Sequence, residues 1–530
     1  MPDLTQPDSR QPEGAQPDRH EPGAVRRAVR VGGRIAGGTA ALVLAVAVVA
    51  GVGFVRLPTL GAAPAGIAVT PEPSDQLRVC TGGLVRFGDE TGGNAETAVA
   101  VSGSELVADA IGALLGETDL GDPGINLDGA DAAPVVITAP AGDGVLIAGA
   151  TAQSSLVPGF SGLAASPCVE PSGSTWLVGG SLSVGRSTAL VLTNPSDVDA
   201  EVTLRLWGET GILTAPGLSG ISVPAGAQRV VSLAGFAPGI ASPVLEVAAR
   251  GGRITATLQQ SIVRGLDDGG VEVIGATEEP NTSLVIPGVR IEDSLGVSRA
   301  SARADWEDAI AAIRLLVPGE VAGSATVRVV PESEPEEGVA TDTALEAIST
   351  FVLELEPQRV VEIDLGAGID AEELSALPDG IYTVYVDADV PVVAAARATT
   401  AVDEGAPDDE SALDPVTAAP ASDFAWFAAA PALPSELLVA VATAPQPVLS
   451  LVNPTAADQT VSVEVGGAAV TEYVVPAGAS ISRAVTAGAV IRLSGAAGLQ
   501  AALSYADPGE LASGVLLGSR PLAEPITVYP

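Results

Sequence analysis

The sequence predicts an all-β protein: tandem immunoglobulin-like β-sandwich repeats after one N-terminal transmembrane helix, with propeller-like β repeats as the alternative. Three observations predict it. The run Ile35–Val55 is 21 residues long, carries no charge and is bracketed by Arg34 and Arg56. Beyond Ser174, short alternating apolar segments recur in one order three times. Each copy packs about six or seven short strands into roughly 95–120 residues, the size and strand density of a two-sheet sandwich. A propeller blade takes about 40–50 residues.

Residues 1–34 form an arm. Met1 to Gly23 is rich in Pro, Asp, Gln and Glu and has little to bury, which predicts disorder. Residues 35–55 suffice for a membrane span, which needs about 20 apolar residues. Arg26, Arg27, Arg30 and Arg34 crowd its N-terminal side, and positive charge stays cytoplasmic. The arm is therefore expected inside and residues 57–530 outside, in a single-pass protein of the cell membrane. A cleaved signal peptide is the other reading, with Gly61-Ala62-Ala63 near a small-residue cut. Signal peptides have apolar cores of about 7–15 residues, so the retained anchor is preferred, and export holds under both.

Residues 57–173 form an N-terminal exterior domain. Ser104 to Gly116 has apolar residues at helical spacing and a terminal Gly, which predicts one helix. Pro134–Thr138 and Gly144–Ala148 read as a hairpin that makes the region a candidate degenerate copy of the later repeats. Cys80 and Cys168, the chain's two cysteines, both lie beyond the anchor, and an even count in an oxidising compartment reads as a disulfide. Closing so long a loop is worth roughly 4–5 kcal/mol in the chain-entropy treatment.

The repeats are residues 174–264, 282–400 and 423–530, separated by linkers at 265–281 and 401–422 that are rich in Asp, Glu, Pro, Gly and Ala. Ala189–Ser196 and Val448–Thr455 are alternating strands that end in Asn-Pro turns, where Asn bonds locally and Pro fixes φ. A second strand follows each, in Glu201–Trp207 and Val461–Val465, and then the phrase Val-Pro-Ala-Gly at 223–226 and 475–478. The middle copy has Val317 in place of Asn and Glu356-Pro-Gln358 in place of the Pro-Ala-Gly turn. Its acidic insertion, 331–350, reads as a solvated loop. Each copy is expected to open with a short strand (Thr175–Val178, Ser283–Ile286, Phe424–Phe427) and to close with a hairpin (243–247 with 253–257, 382–386 with 391–394, 489–493 with 499–503).

Composition bounds the chemistry. From residue 57 there are 18 Arg, no Lys and 60 acidic residues, a balance that disfavours nucleic acid and anionic lipid. His20 is the only histidine and lies in the arm, so no exterior nucleophile has a His or Lys base and no His-ligated zinc site is available. A phosphate-cradling loop and a dinucleotide fingerprint are both missing from the sequence. A two-carboxylate hydrolase survives in principle. Asp119, Asp122, Asn126, Asp128 and Asp131 are the candidate calcium ligands, oxygen donors in a Gly-containing loop, but their spacing fits no EF-hand and an acidic loop is the plainer reading. The patches at Asp267-Asp268, Glu332–Glu337 and Asp403–Glu410 also read as solvated loops. Among the tryptophans, Trp176 and Trp426 fit core positions, whereas Trp207 ends a strand and is the candidate ligand contact.

The Arg-flanked anchor, the Cys pair in the first exterior region and the Asn-Pro β repeats together resemble an uncharacterised actinobacterial family of membrane-anchored extracellular proteins that carries a domain-of-unknown-function label. The resemblance implies an envelope location near genes for envelope glycosyltransferases and brings no site residues. The expectation is a non-catalytic, cofactor-free envelope protein that binds or scaffolds through its β domains, with an envelope protein or cell-wall glycan as partner. The alternatives are an accessory subunit of an envelope glycosyltransferase or polysaccharide-handling module, and a carboxylate-based hydrolase.

Overall fold

The computed structural model describes residues 67–69, 75–87, 98–120, 127–128, 133–334, 345–366, 377–402, 420–467, 470–518 and 526–528. The span at 35–55 lies outside them; among the described residues no helix is long and apolar enough to cross a membrane. The chain divides into two compact units, 1–70 with 525–530, and 71–524. In the first, Ile67–Val69 pairs antiparallel with Ile526–Val528. The second is all-β, with many small sheets, no closed barrel among the described residues and one described α-helix, α1 (Ser294–Ser301).

One strand order recurs through this second unit. Residues 174–274 supply nine strands; apart from the short Gly211–Leu213, which pairs with the end of the third, they are Ser174–Val178, Arg186–Asn194, Ala200–Gly208, Ile221–Val223, Ala227–Ser232, Val244–Gly251, Thr255–Arg264 and Asp267–Ile274. Numbered in that order, they pair as 1-6-3-4 in one sheet and 5-2-7-8 in the other. Residues 436–515 repeat this order with Glu436–Ala440, Val448–Val452, Gln459–Val465, Thr471–Val475, Ser480–Ala484, Val490–Ser494, Gln500–Asp507 and Glu510–Val515. Residues 281–428 do so too, except that one strand, Gly380–Val402, serves as strand 6 beside Asn281–Ile291 and Gly323–Pro331, then as strand 7 beside Ala312–Leu316 and Ala421–Ala428. Residues 76–167 carry the order without strands 4 and 5: Gln76–Cys80, Val135–Ala139 and Gly116–Asp119 in one sheet, Glu105–Ile111, Leu146–Val157 and Phe160–Pro167 in the other. These segments are called here modules one to four in chain order. Their 1-6-3-4 and 5-2-7-8 partition differs from the ABED and CFG sheets of an immunoglobulin constant domain.

Each pair of sheets encloses an apolar core. In module two Leu177, Leu204, Leu206 and Leu245 from one sheet meet Leu190, Leu192 and Leu258 from the other. Modules three and four repeat this with Leu284, Val327 and Val384 against Ile313 and Leu315, and with Leu437, Val461 and Leu493 against Leu449 and Leu503. Burying one such side chain fully is worth about 1.5–3 kcal/mol. The smaller core of module one contains the Cys80–Cys168 disulfide, which joins its first strand to the residue after its eighth.

Several expectations are corrected. The closing hairpins of modules one, two and four are arches, and that of module three is one continuous strand, Gly380–Val402. Strands 6 and 7 belong to opposite sheets, so the chain crosses the sandwich where the sequence shows only two alternating segments and a turn. The segment at 104–116 is strand, not helix. Its Leu106, Ala108 and Ala110 pack on the core of module one while Val107 and Ile111 pack on that of module four, and a strand covered on both faces loses its polar alternation. The segments read as linkers hold eighth strands, at Asp267–Ile274 and Ala421–Ala428. Phe424–Phe427 therefore closes module three, and module four opens at Glu436.

The Asn-Pro turns are corner clamps. Asn194 is fully buried; its Nδ2 donates to the carbonyls of Val198 (2.8 Å) and Val223 (3.0 Å), and its Oδ1 accepts from the Ser196 N–H and hydroxyl. Asn453 makes the same four bonds with Ala457, Val475 and Thr455. The following turns need positive φ, met by Gly226 (65°), Gly478 (69°) and, in module three, Gln358 (59°).

Candidate functional site

The eighth strands gather the four modules. Phe160–Pro167 lies against Asp267–Ile274 and Glu510–Val515, and Ala421–Ala428 lies against the same two, so the four strands close a cycle of contacts. At its centre is Asp423, fully buried. Its Oδ1 accepts from the N–H groups of Val271 (3.0 Å) and Phe424 (3.0 Å), and its Oδ2 from those of Leu163 (2.8 Å) and Leu511 (3.2 Å). One carboxyl thus takes an N–H from every module. Gly162 and Gly270 admit it: a Cβ on Gly162 would stand 2.7 Å from Oδ1, and one on Gly270 would also run into Asp423. Beside it Glu272 is fully buried, accepting from the Val273 N–H at 2.8 Å. Burial raises the Glu272 carboxyl well above its ordinary range, and the Asp423 charge adds to this. Burial also raises Asp423, against its four N–H donors. Both carboxyls are thus pushed toward the protonated form, Asp423 against the larger number of N–H donors.

Beyond this centre the strands open into a pocket of about 170 Å³. All four modules line it. Ser166 and Pro167 come from the first, Trp176, Thr255 and Thr257 from the second, Trp426 from the third, and Ser513 from the fourth. Glu170 and Glu279 lie among the lining residues, and no cationic side chain does. The Ser513 hydroxyl donates to the Trp426 carbonyl at 2.6 Å, which leaves its lone pairs available.

Trp426 is fixed from behind. Its indole N–H donates to Gln260 Oε1 at 2.9 Å, and the Arg314 guanidinium sits 4.4 Å from its ring centroid. Arg314 is fully buried and crosses between modules: it donates to Glu362 and to the Gly180 and Pro243 carbonyls, both at 2.9 Å. Arg397 also reaches Glu362, at 3.2 Å. Burial would raise the Glu362 carboxyl, but Arg314 and Arg397 outweigh it and hold the group down at about 2. Nearby, Arg186 and Arg264 of module two converge on Asp308 of module three.

Residues 126–487 match a protein family described as a family of unknown function, DUF5719. The chain belongs to that family. No curated protein matches it. The DUF5719 match contains modules two and three whole, both Asn-Pro clamps, Asp423 and the walls around Trp176 and Trp426; Cys80 and Ser513 fall outside it.

The sequence-predicted residues separate. Cys80 and Cys168 are joined. Trp207 is 1 % exposed, correcting the expectation of a surface contact: its ring stacks on Trp176 at 5.4 Å, and Leu218, Leu233 and Ala237 complete the core around it. The next ring over, Trp176, is the one that reaches a pocket. Among the calcium candidates, Asp119 is exposed at a strand end and Asp128 belongs to the two-residue strand Leu127–Asp128; Asp122, Asn126 and Asp131 lie outside the described residues. Among the described residues no group of three or more His, Cys, Asp or Glu side chains is placed to hold a metal. Two acidic patches are not simple solvated loops. Asp268 accepts from the Gly159 N–H at 2.5 Å, and Glu332 Oε2 is sealed in the seam between modules three and four. There Ser333 exchanges backbone hydrogen bonds with Ser480 and Ser482 of module four. Burial pushes the Glu332 carboxyl up to about 7, against hydrogen bonds from the Thr383 hydroxyl and the Gly288 N–H. Sequence reasoning missed Asp423 and Arg314; the available signal was a lone charge at the edge of the apolar run Phe424–Ala430 and another inside Ala312–Pro318.

Proposed function

We propose that this chain is a non-catalytic binding protein of the cell envelope, held by the span at 35–55 with residues 57–530 outside the membrane. The modules are read as divergent copies of one immunoglobulin-sized, two-sheet unit assembled around a shared axis. The observation that supports binding is the axial pocket, to which all four modules contribute side chains and whose Trp426 wall is braced by the Arg314–Glu362–Arg397 network. A site built jointly by every module explains why the modules are fastened to one another rather than strung on linkers. The acidic chain favours partners that are neutral or cationic.

The test is crosslinked affinity capture of the full-length protein from its native membrane, with mass spectrometry of proteins and attached glycans. Recovery of a wall glycan, or of one envelope protein in constant ratio, is the expected result. Enrichment of a membrane glycosyltransferase would make the chain its accessory subunit. Recovery of the bait alone would contradict the binding role.

A further inference from the structure

We propose that the axial pocket is a saccharide site that takes one uncharged pyranose ring, held against Trp176 and Trp426 by the hydroxyls of Thr255, Thr257 and Ser513. The assignment rests on the binding reading above and names the ligand class.

Size comes first. An apolar cavity of about 150 Å³ admits one benzene ring, and this pocket measures about 170 Å³. It has room for a single six-membered ring, presented as the end of a longer glycan through the open mouth.

Lining chemistry comes next. A pyranose has two faces of C–H and a rim of hydroxyls, each both donor and acceptor. It needs aromatic surface for the faces and groups of both kinds for the rim. The pocket supplies two indoles, and its hydroxyls complement the rim. Ser513 spends its proton on the Trp426 carbonyl and so accepts from a ligand O–H. Thr255 and Thr257 have no side-chain hydrogen bond among the described residues and can donate or accept. Ser172 and Thr175, linked at 2.9 Å, extend the hydroxyl rim along one wall.

Charge then narrows the class. Glu279 lines the pocket and no cationic side chain does, so a uronate or phosphorylated sugar meets repulsion there. Glu279 is exposed at the rim and has no ion-pair partner among the described residues. Thr257 is nearly buried in the wall, on a strand whose backbone is paired on both sides, so Thr257→Val removes a hydroxyl without unseating the strand.

The experiment is a titration of the full-length protein in detergent with methyl pyranosides, read by tryptophan fluorescence. The panel contains neutral hexosides, a methyl uronate and an amino sugar. At least one neutral pyranoside is expected to give a saturable change, with the uronate weaker. Thr257→Val is expected to weaken the neutral ligand about tenfold, the loss of one hydrogen bond, with an unchanged melting temperature. Ser513→Ala serves as the second variant and is expected to act in the same direction. Glu279→Gln is expected to leave the neutral ligand unchanged and to improve the uronate. Absence of saturation by every neutral pyranoside would overturn the assignment, as would unchanged affinity in both hydroxyl variants. So would binding of the amino sugar alone with loss in Glu279→Gln, which would make the pocket a cation site. If every neutral pyranoside fails to saturate while the membrane capture still recovers a partner, the pocket assignment fails and the binding role stands.

Discussion

The Asn-Pro corners and the axial seam fasten the molecule at two levels, and they are built in opposite ways. The corner is written twice, in Asn194 and Asn453, with the same four hydrogen bonds closing the same turn. The axis is written once. Leu163, Val271 and Leu511 each offer a backbone N–H, and only module three, through Asp423, supplies an acceptor. What makes a module is repeated; what assembles the modules is unique. A corner closes within one module, whereas the axis is a single place where all four modules meet.

The largest break in this comparison is expected from Asp423→Asn. It turns an amide NH₂ toward two of the four N–H donors and leaves them unmet. The cost is on the order of 3–5 kcal/mol, read as a large drop in melting temperature, with the eighth strands becoming protease-sensitive together.

Next comes Glu362→Gln, which takes its salt-bridged carboxylate from buried Arg314 and is expected to cost about 3 kcal/mol. It also has a pH signature. The folded carboxyl sits near 2, below its ordinary 4.5. Its stabilisation is therefore complete above about pH 4.5 and is lost as pH falls toward 2. Acid-melting curves of Glu362→Gln should be flatter across that window than those of the parent.

The corners sharpen the contrast. Asn194→Ala and Asn453→Ala each strand an inward N–H and two carbonyls, at about 2 kcal/mol apiece. Because the two corners lie in separate modules, their effects should add in the double variant. Hydrogen exchange should rise only in the module that carries the change. A single corner variant that loosened both modules would break the distinction drawn here.

The smallest effect runs the other way. Burial raises Glu332 from 4.5 to about 7. A raised folded value contributes stability that is complete below about pH 4.5 and lost as pH rises through 7. Glu332→Gln keeps an acceptor for the Gly288 N–H and removes that loss. It is expected to stabilise the protein by about 1–2 kcal/mol at pH 8, with little change at pH 4, in paired thermal melts.

The same division explains what could be read from the sequence. The middle strands of modules two to four were legible because each has one core face and a turn with Asn, Pro or Gly at fixed positions. The disulfide was legible from the even Cys count. The eighth strands were not. Asp267–Ile274 begins Asp-Asp-Gly-Gly, which resembles a loop although Gly269 makes room for Arg264 and Ile262 and Gly270 admits the Asp423 carboxyl of module three. The arches were hidden because alternation and a turn residue look alike whether the chain folds back in one sheet or crosses to the other. Glu332 looked solvated among its acidic neighbours, since burial between modules leaves no local pattern. The pocket was invisible for the same reason: its serines and threonines come from four distant segments.

Amide exchange of the parent and Asp423→Asn proteins, followed at Leu163, Val271, Phe424 and Leu511, tests the shared axis most directly. Protection is expected to fall at all four sites together while the strands around Asn194 and Asn453 keep theirs. Loss confined to Phe424, with Leu163, Val271 and Leu511 still protected, would contradict an axis held by one carboxyl.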